Sequence, residues 1–161
     1  MPPPAAMDRE TASRDDDHQA LRLWLRLLTC AQLIERAVRA RLRERFDTTL
    51  PRFDLMSQLW RYPAGLKMNE LSAHLMVTGG NVTGIVDLLE KDGLAERHPE
   101  PADRRAYRVR FTRAGRKAFG EMARAHEEWI VELLAGMSRR EQAEVYKQLG
   151  TLKQATLEAK S

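Results

Sequence analysis

Apolar residues recur at helical spacing through most of the chain. From residue 17 to about residue 45 they lie three or four positions apart, which predicts one long helix. Its apolar positions are Trp24, Leu27, Leu28, Ala31, Ile34, Val38 and Leu42. At roughly 1.5 Å per residue such a helix is about 40 Å long. One small globule does not cover a helix of that length, so we expect a partner chain to cover part of it.

Three shorter helices are predicted next. Thr49 is placed to cap the first, with Pro51 in the first turn, where a missing N–H costs little. Thr78 is placed to cap the third, and Gly93 to stop it. The expected buried positions are Phe53, Leu55, Met56, Leu59 and Trp60 in the first helix, Met68, Leu71 and Leu75 in the second, and Val82, Ile85, Val86 and Leu89 in the third.

A β-hairpin is predicted after these helices. Residues 94–98 and 106–111 are typical of strands, and the two prolines between them indicate a loop over residues 99–105. Alternation in the second strand turns three apolar residues toward the core and two arginines outward. These are Tyr107, Val109 and Phe111, and Arg108 and Arg110.

Two longer helices are predicted to end the chain. Thr112 is placed to cap the first of them, and Ser138 with Glu141 has the spacing of a capping box before the second. Expected buried positions are Phe119, Met122, His126, Trp129 and Leu133, then Val145, Leu149, Leu152 and Thr156. Residues 1–16 are rich in Pro, Ala and Asp, and we interpret them as a disordered tail.

The order of these elements predicts a mainly α-helical winged helix-turn-helix. Two short helices joined by a tight turn and followed by a small β-hairpin wing are typical of that fold, in which the second helix enters the major groove of DNA. Residues 49–111 would form this DNA-binding lobe within a single domain spanning residues 17–160, and the remaining helices would form an all-helical region.

Composition suits an anionic partner without requiring one. The chain has 27 Lys and Arg against 23 Asp and Glu, and many of its arginines lie between residues 97 and 116. No apolar run reaches the roughly 18 residues needed to cross a membrane, and the N-terminus lacks the pattern of a secretory signal. With Cys30 as its one cysteine, the chain is expected to be cytoplasmic and to bind no membrane.

The segment VTGGNVTG indicates a contact surface at the start of a helix. Gly79 and Gly80 in a first turn each cost about 1 kcal/mol relative to alanine, and close approach of the backbone to a surface would compensate. Thr78, Asn81 and Thr83 add short polar side chains, and helix N-terminal N–H groups favour phosphate oxygens. Asn also pairs with adenine. The alternative is an ordinary capped helix that tolerates its glycines.

The arginines before the second strand indicate a second contact. An extended Arg105 suits a narrow minor groove, and Asp103 is placed to pair with its guanidinium and fix its pose. Arg104, beside it, is placed to reach a phosphate, as are Arg108 and Arg110. The alternative is a solvated hairpin face.

Residues 21–157 resemble the MarR family of winged-helix regulators. The resemblance is carried by MNELSAHLMVTGGNVTGIVDLLEKDGLAERHPEPADRRAYRVRFTRAGRKAF, and most specifically by DRRAYRVRFTRAG. It implies that Arg105 enters the minor groove with Asp103 as its acidic partner. It also implies that DNA contacts come from Thr78, Gly79, Gly80, Asn81 and Thr83.

The same resemblance implies a homodimer on double-stranded palindromic DNA. Residues 17–46 and 112–160 would form its dimerisation region, and the protein would be a repressor released by a small aromatic acid or phenolic ligand. Two departures from the family stand out. Lys67 occupies a position where many members have Thr before the third helix, and we expect it to contact phosphate instead. Peroxide-sensing members carry a cysteine at about the position of Leu25, so we interpret Cys30 as a buried packing residue.

A ligand pocket is predicted where the first two helices meet. Aromatic and apolar walls with one fixed cation suit a small aromatic acid, although each residue taken singly is better explained by plain core packing. The residues are Trp24, Arg26, Arg52, Phe53, Met56 and Trp60.

Catalysis, metals and cofactors have no support in the sequence. His18, His74, His98 and His126 are scattered without metal-ligand spacing, and no nucleophile motif or phosphate-binding loop is present. Two alternatives to a ligand-released repressor remain. One is a winged-helix module that binds an acidic protein, and the other is a regulator switched by oxidation of Cys30.

Overall fold

The computed structural model describes residues 18–75 and 79–159. Its elements in chain order are α1 (Gln19–Phe46), α2 (Leu50–Arg61), β1 (Leu66–Lys67), α3 (Met68–Leu75), α4 (Gly79–Lys91), β2 (Ala95–Glu100), β3 (Asp103–Phe111), α5 (Arg113–Leu133) and α6 (Arg139–Glu158). The predicted fold class, mainly helical with a small antiparallel sheet, is confirmed. The tail predicted for residues 1–16 lies outside the described residues.

Local capping interactions set several helix boundaries as predicted. The Thr49 side chain accepts a hydrogen bond from the backbone N–H of Arg52, and Pro51 lies in the first turn of α2. Ser138 and Glu141 form a capping box at the start of α6. Hydrogen bonds from the hydroxyl and the backbone N–H of Ser138 lower the pKa of Glu141. These ends follow from neighbouring residues, which is why the sequence predicts them.

Thr112 and Gly115 join the start of α5 to the end of α4. The Thr112 hydroxyl accepts from the backbone N–H of Gly115 at 3.0 Å and donates to the carbonyl oxygen of Gly93 at 2.6 Å. The backbone N–H of Thr112 also donates to the carbonyl oxygen of Leu94. A Thr followed three residues later by Gly therefore caps α5 and fixes it against the turn that ends α4.

The structure divides into two compact units. One ends at Met122 and the other begins at Ala123, so α5 contributes to both. The first unit holds a core formed by α1 to α4, the sheet and the start of α5. Its most deeply buried side chains are Leu42, Leu55, Met56, Leu59, Leu71, Val82, Val86, Leu89 and Val109.

The small sheet differs from the predicted hairpin. Its strand order is β1-β3-β2, and the short strand β1, which the sequence did not predict, pairs with β3. The predicted loop over residues 99–105 is wrong, because β2 runs to Glu100 and β3 begins at Asp103, leaving a two-residue turn. Pro99 is tolerated because β2 is an edge strand, where one missing N–H breaks no second ladder.

Several residues expected to be buried are exposed in the single chain. Cys30 is exposed, so its predicted burial within the chain is wrong. Tyr107 is 44% exposed, because it lies farther out along the hairpin than the fully buried Val109. On α1 only Val38 and Leu42 are buried, and α6 buries none of its residues. Within the described residues, no helix is both long and apolar enough to cross a membrane.

Candidate nucleic-acid interface

The start of α4 presents short polar side chains to solvent. Gly79 and Gly80 form its first two positions, and the side chains of Asn81 and Thr83 are exposed. The opposite side of α4 is buried through Val82, Ile85, Val86 and Leu89. Because helix N-terminal N–H groups favour anions, this end of α4 is suited to a phosphate or a base edge. Thr78, the predicted cap, lies outside the described residues.

The β2–β3 hairpin, here called the wing (Ala95–Phe111), carries two exposed arginines beside its turn. Arg104 and Arg105 are both exposed at the start of β3. Asp103 accepts a hydrogen bond from the backbone N–H of Arg105 at 2.9 Å. The carboxylate thus fixes the strand at Arg105 through its backbone, and among the described residues the Arg105 guanidinium has no ion-pair partner. The predicted pairing of these two side chains is wrong.

Lys67, the last residue of β1, directly precedes α3, and a side chain of that helix supplies the cap. The backbone N–H of Lys67 donates to Oε2 of Glu70 at 2.7 Å. The carboxylate at the third helical position thus forms half of a capping box, the half that needs no Thr or Ser at the N-cap. The Lys67 side chain is half-buried, and its backbone pairs with Arg108 in the sheet.

Arg108 and Arg110 turn back to the protein instead of extending outward. The Arg108 guanidinium donates to Oε2 of Glu100 at 3.0 Å and to the carbonyl oxygen of Gly65 at 2.9 Å. Arg110 donates to the carbonyl oxygen of Ala64 at 2.8 Å. Both arginines therefore hold the turn between α2 and β1, where Gly65 has a φ of +87° that favours glycine. This geometry favours a positioning role for Arg108 over the predicted phosphate contact.

Arg97 joins α4 to the wing, a contact that the sequence did not predict. From β2 its guanidinium binds Oδ1 of Asp87 at 2.6 Å and also binds Oε2 of Glu90. Its backbone N–H donates to the other carboxylate oxygen of Glu90 at 2.8 Å. Partial burial alone would lower the pKa of Arg97, but the hydrogen bond and charge of Asp87 and the charge of Glu90 outweigh it and raise the pKa.

The residues predicted to line a ligand pocket lie in different environments. Phe53 and Met56 are buried in the core. Trp60 is 42% exposed, packs against Phe119 and has the Arg116 guanidinium 5.4 Å from its ring centroid. The other three are Arg26 and Trp24, which are exposed on α1, and Arg52, which binds Asp92 at 2.6 Å.

No metal site emerges from the geometry. Over residues 18–75 and 79–159, no three His, Cys, Asp or Glu side chains cluster in a way that would hold an ion.

Comparison with known proteins relates most of the chain to one family. A family model described as the MarR family matches residues 48–107. The crystal structure of a MarR family transcriptional regulator from Silicibacter pomeroyi superposes with a TM-score of 0.74 at 32% sequence identity. That alignment covers 89% of this chain and 99% of the other.

Two further comparisons extend the picture. The transcriptional activatory protein BadR of Rhodopseudomonas palustris is 30% identical over 106 residues, which are 65% of this chain and 60% of BadR. This chain thus spans less than two thirds of that curated relative. A structure of an S. aureus MepR–DNA complex shares the fold, with a TM-score of 0.68 at 21% identity, covering 80% of this chain and 94% of MepR.

Proposed function

Because this chain belongs to the MarR family of DNA-binding transcriptional regulators, we propose that it acts as a cytoplasmic homodimer on a palindromic DNA operator. Each protomer would place the start of α4 in a major groove and Arg105 in the adjoining minor groove. Two-fold symmetry would then set the half-sites about 34–36 Å apart, one turn of DNA.

One observation carries the proposal for DNA: the exposed start of α4 and the arginine-bearing wing belong to a single packed lobe. The buried face of α4 leaves Asn81 and Thr83 exposed, and Arg97 joins the same helix to β2. A helix end with short polar side chains and a hairpin with two exposed arginines suit the two adjacent grooves of one duplex. The solved MepR–DNA complex, a structure of the same fold, supports the same partner.

Exposed apolar side chains support the homodimer. On α1 and on α5–α6, residues with helical spacing and apolar character remain open to solvent in the single chain. They include Leu21, Leu23, Trp24, Leu33, Val131, Val145, Tyr146, Leu149 and Leu157. A second copy would cover such surfaces, and Tyr146, at 82% exposure, would be among those most changed. We therefore propose that residues 17–46 and 112–160 form the dimerisation region.

Selection of bound fragments from random duplex DNA tests the proposal. The full chain should enrich an inverted repeat whose half-sites are centred one helical turn apart, and light scattering should give the mass of two chains. Enrichment of nothing above the starting library, or a chain that stays monomeric at the concentrations used, would count against it.

Asn81 is expected to contribute to sequence choice. In Asn81→Ala the helix start keeps its backbone N–H groups, so phosphate contacts persist while a base contact worth about 1–3 kcal/mol is lost. We therefore expect operator affinity to fall by roughly tenfold or more, with little change on a scrambled duplex. Competition binding with both duplexes measures the ratio. An equal loss on the two would argue against base contact.

Control by a small ligand is the second part of the proposal. We propose that the protein is a repressor, since a dimer that covers an operator excludes other proteins from it, and that an aromatic acid or phenol releases it. BadR is named as an activatory protein, so a transcription assay is needed to determine the sign here. A ligand that binds the DNA-free form better must lower DNA affinity by linkage.

The ligand hypothesis is tested with a panel of aromatic carboxylates and phenols. A binder at 100 times its Kd should stabilise the free protein by about 2.7 kcal/mol, which raises the melting temperature, and it should weaken operator binding in parallel. The half-exposed Trp60 gives a fluorescence signal for the same titration. A panel that changes neither the melting temperature nor DNA affinity would remove the sensor and leave the DNA-binding function.

A further inference from the structure

We propose that Arg97 is a positioning residue for DNA recognition, one that fixes the wing relative to α4 so that Arg105 and Asn81 engage one duplex together. The inference rests on the proposed function. It concerns the three-residue ion-pair cluster of Arg97, Asp87 and Glu90, here called the Arg97 clamp.

The Arg97 clamp joins two elements that the backbone connects only through a turn. Asp87 and Glu90 lie one helical turn apart on α4, and Arg97 lies on β2 beyond the Gly93 turn. Both terminal nitrogens of the guanidinium bind a carboxylate, and the backbone N–H of Arg97 binds Glu90 as well. Three contacts from one residue therefore fix both its side chain and its strand against α4.

The geometry of the clamp argues against a direct contact between Arg97 and DNA. The Arg97 side chain is 24% exposed, and its guanidinium is held by two carboxylates. The three side chains together carry a net negative charge, which repels a phosphate. Arg97 thus differs from Arg104 and Arg105, whose guanidiniums are exposed and have no ion pair among the described residues.

A small rotation of the hairpin at Arg97 would displace the tip of the wing by a larger distance. The turn at residues 101–102 lies about four residues farther along the hairpin, or about 13 Å at roughly 3.3 Å per residue. A rotation of about 10° at Arg97 would move the tip by about 2 Å, more than the range over which a hydrogen bond keeps its strength. On the other side of the sheet, Arg108 ties β3 to Glu100 and Gly65, so the clamp completes the support on the α4 side.

Removing the two acids of the clamp tests the inference, because loss of positioning and gain of positive charge change operator affinity in opposite directions. Asp87→Asn with Glu90→Gln adds two units of positive charge near the interface, which by itself strengthens binding to any duplex. Loss of positioning instead predicts that affinity for the selected operator falls about tenfold while affinity for a scrambled duplex of equal length rises or stays constant. Asp47→Asn is the control, because Asp47 is exposed just after α1 and lies outside both the DNA-binding lobe and the proposed dimerisation region. It should lower neither affinity.

A double-mutant cycle shows whether the clamp acts through the wing. If Arg97 positions Arg105, then Arg105→Ala should cost about tenfold less operator affinity in an Arg97→Gln protein than in the wild type, a coupling of about 1.4 kcal/mol. The salt dependence of operator binding should keep its slope in Arg97→Gln, since no phosphate contact is lost. A merely structural role would lower the melting temperature and leave the two substitutions additive.

The outcomes distinguish failure of this inference from failure of the proposed function. Additive effects of Arg97→Gln and Arg105→Ala, or tighter operator binding by the Asp87→Asn, Glu90→Gln protein, overturn the positioning role while operator binding by the wild type stands. If Arg97→Gln reduces the slope of log affinity against log salt concentration by about one, Arg97 is a phosphate contact. That outcome also overturns the positioning role. A wild type that selects no duplex overturns both.

Discussion

Replacing Arg105 with alanine should lower operator affinity by roughly tenfold to a hundredfold, the scale of about 1–3 kcal/mol for one groove contact. The substitution isolates the side chain, because Asp103 binds the backbone N–H of Arg105, which alanine retains. The guanidinium has no ion pair among the described residues, so its removal leaves no carboxylate unpaired there. Equilibrium binding at physiological salt, with the operator selected by the wild type, measures the loss.

Arg104→Ala is the matched control for this prediction. It removes the same charge from the neighbouring exposed position, where we expect a phosphate contact. Arg104→Ala should weaken binding to the operator and to a scrambled duplex by similar factors. It should also reduce the slope of log affinity against log salt concentration by about one. If Arg105→Ala left operator affinity unchanged, or if both variants behaved alike on the two duplexes, the minor-groove role of Arg105 would be wrong.

Replacing Gly115 with alanine should destabilise the protein by about 1–3 kcal/mol or more, the usual cost of overpacking. An added Cβ would collide with the carbonyl oxygen of Leu94 and lie 2.7 Å from its carbonyl carbon and 2.8 Å from Cδ1 of Phe111. Relief requires backbone movement where α5 meets the turn that ends α4. We expect a melting temperature several degrees lower at equal protein concentration.

Gly120→Ala, on the same helix, should have the opposite effect. Its Cβ would meet only the Trp60 ring at 3.8 Å, an ordinary contact, and alanine in a helix is favoured over glycine by about 1 kcal/mol. Equal melting temperatures for the two variants would show that Gly115 is not under steric constraint.

The features predicted correctly from the sequence are set by residues close together in the chain. The Thr49 and Ser138 caps and the buried stripe of α4 follow from spacings of three or four residues, and the structure contains all of them. The start of α4 was located for the same reason. The resemblance to a known family then supplied the partner, which spacing alone does not identify.

What the sequence missed depends on contacts between distant segments. Leu66 pairs with Val109, and Arg108 and Arg110 bind carbonyl oxygens more than forty residues away, so their expected outward pose toward phosphate was not found. The Arg97 clamp left a weaker signal: two acids three residues apart at the end of a helix, with an arginine just past its glycine stop. The exposure of Cys30 and of α6 was missed because apolar spacing along a helix does not show which neighbour, if any, the apolar face packs against.

The strand pairing of the wing limits which changes of length it tolerates. β3 is held between two neighbours, with Val109 opposite Leu66 on one side and Arg97 on the other. A single insertion between Arg105 and Val109 would turn the Arg105 side chain to the other face of the hairpin, because side chains alternate along a strand. Added residues at positions 101–102 would instead lengthen the tip and leave that face intact. New operator preferences in this scaffold are therefore expected to arise through substitutions or changes at the tip, not through insertions within β3.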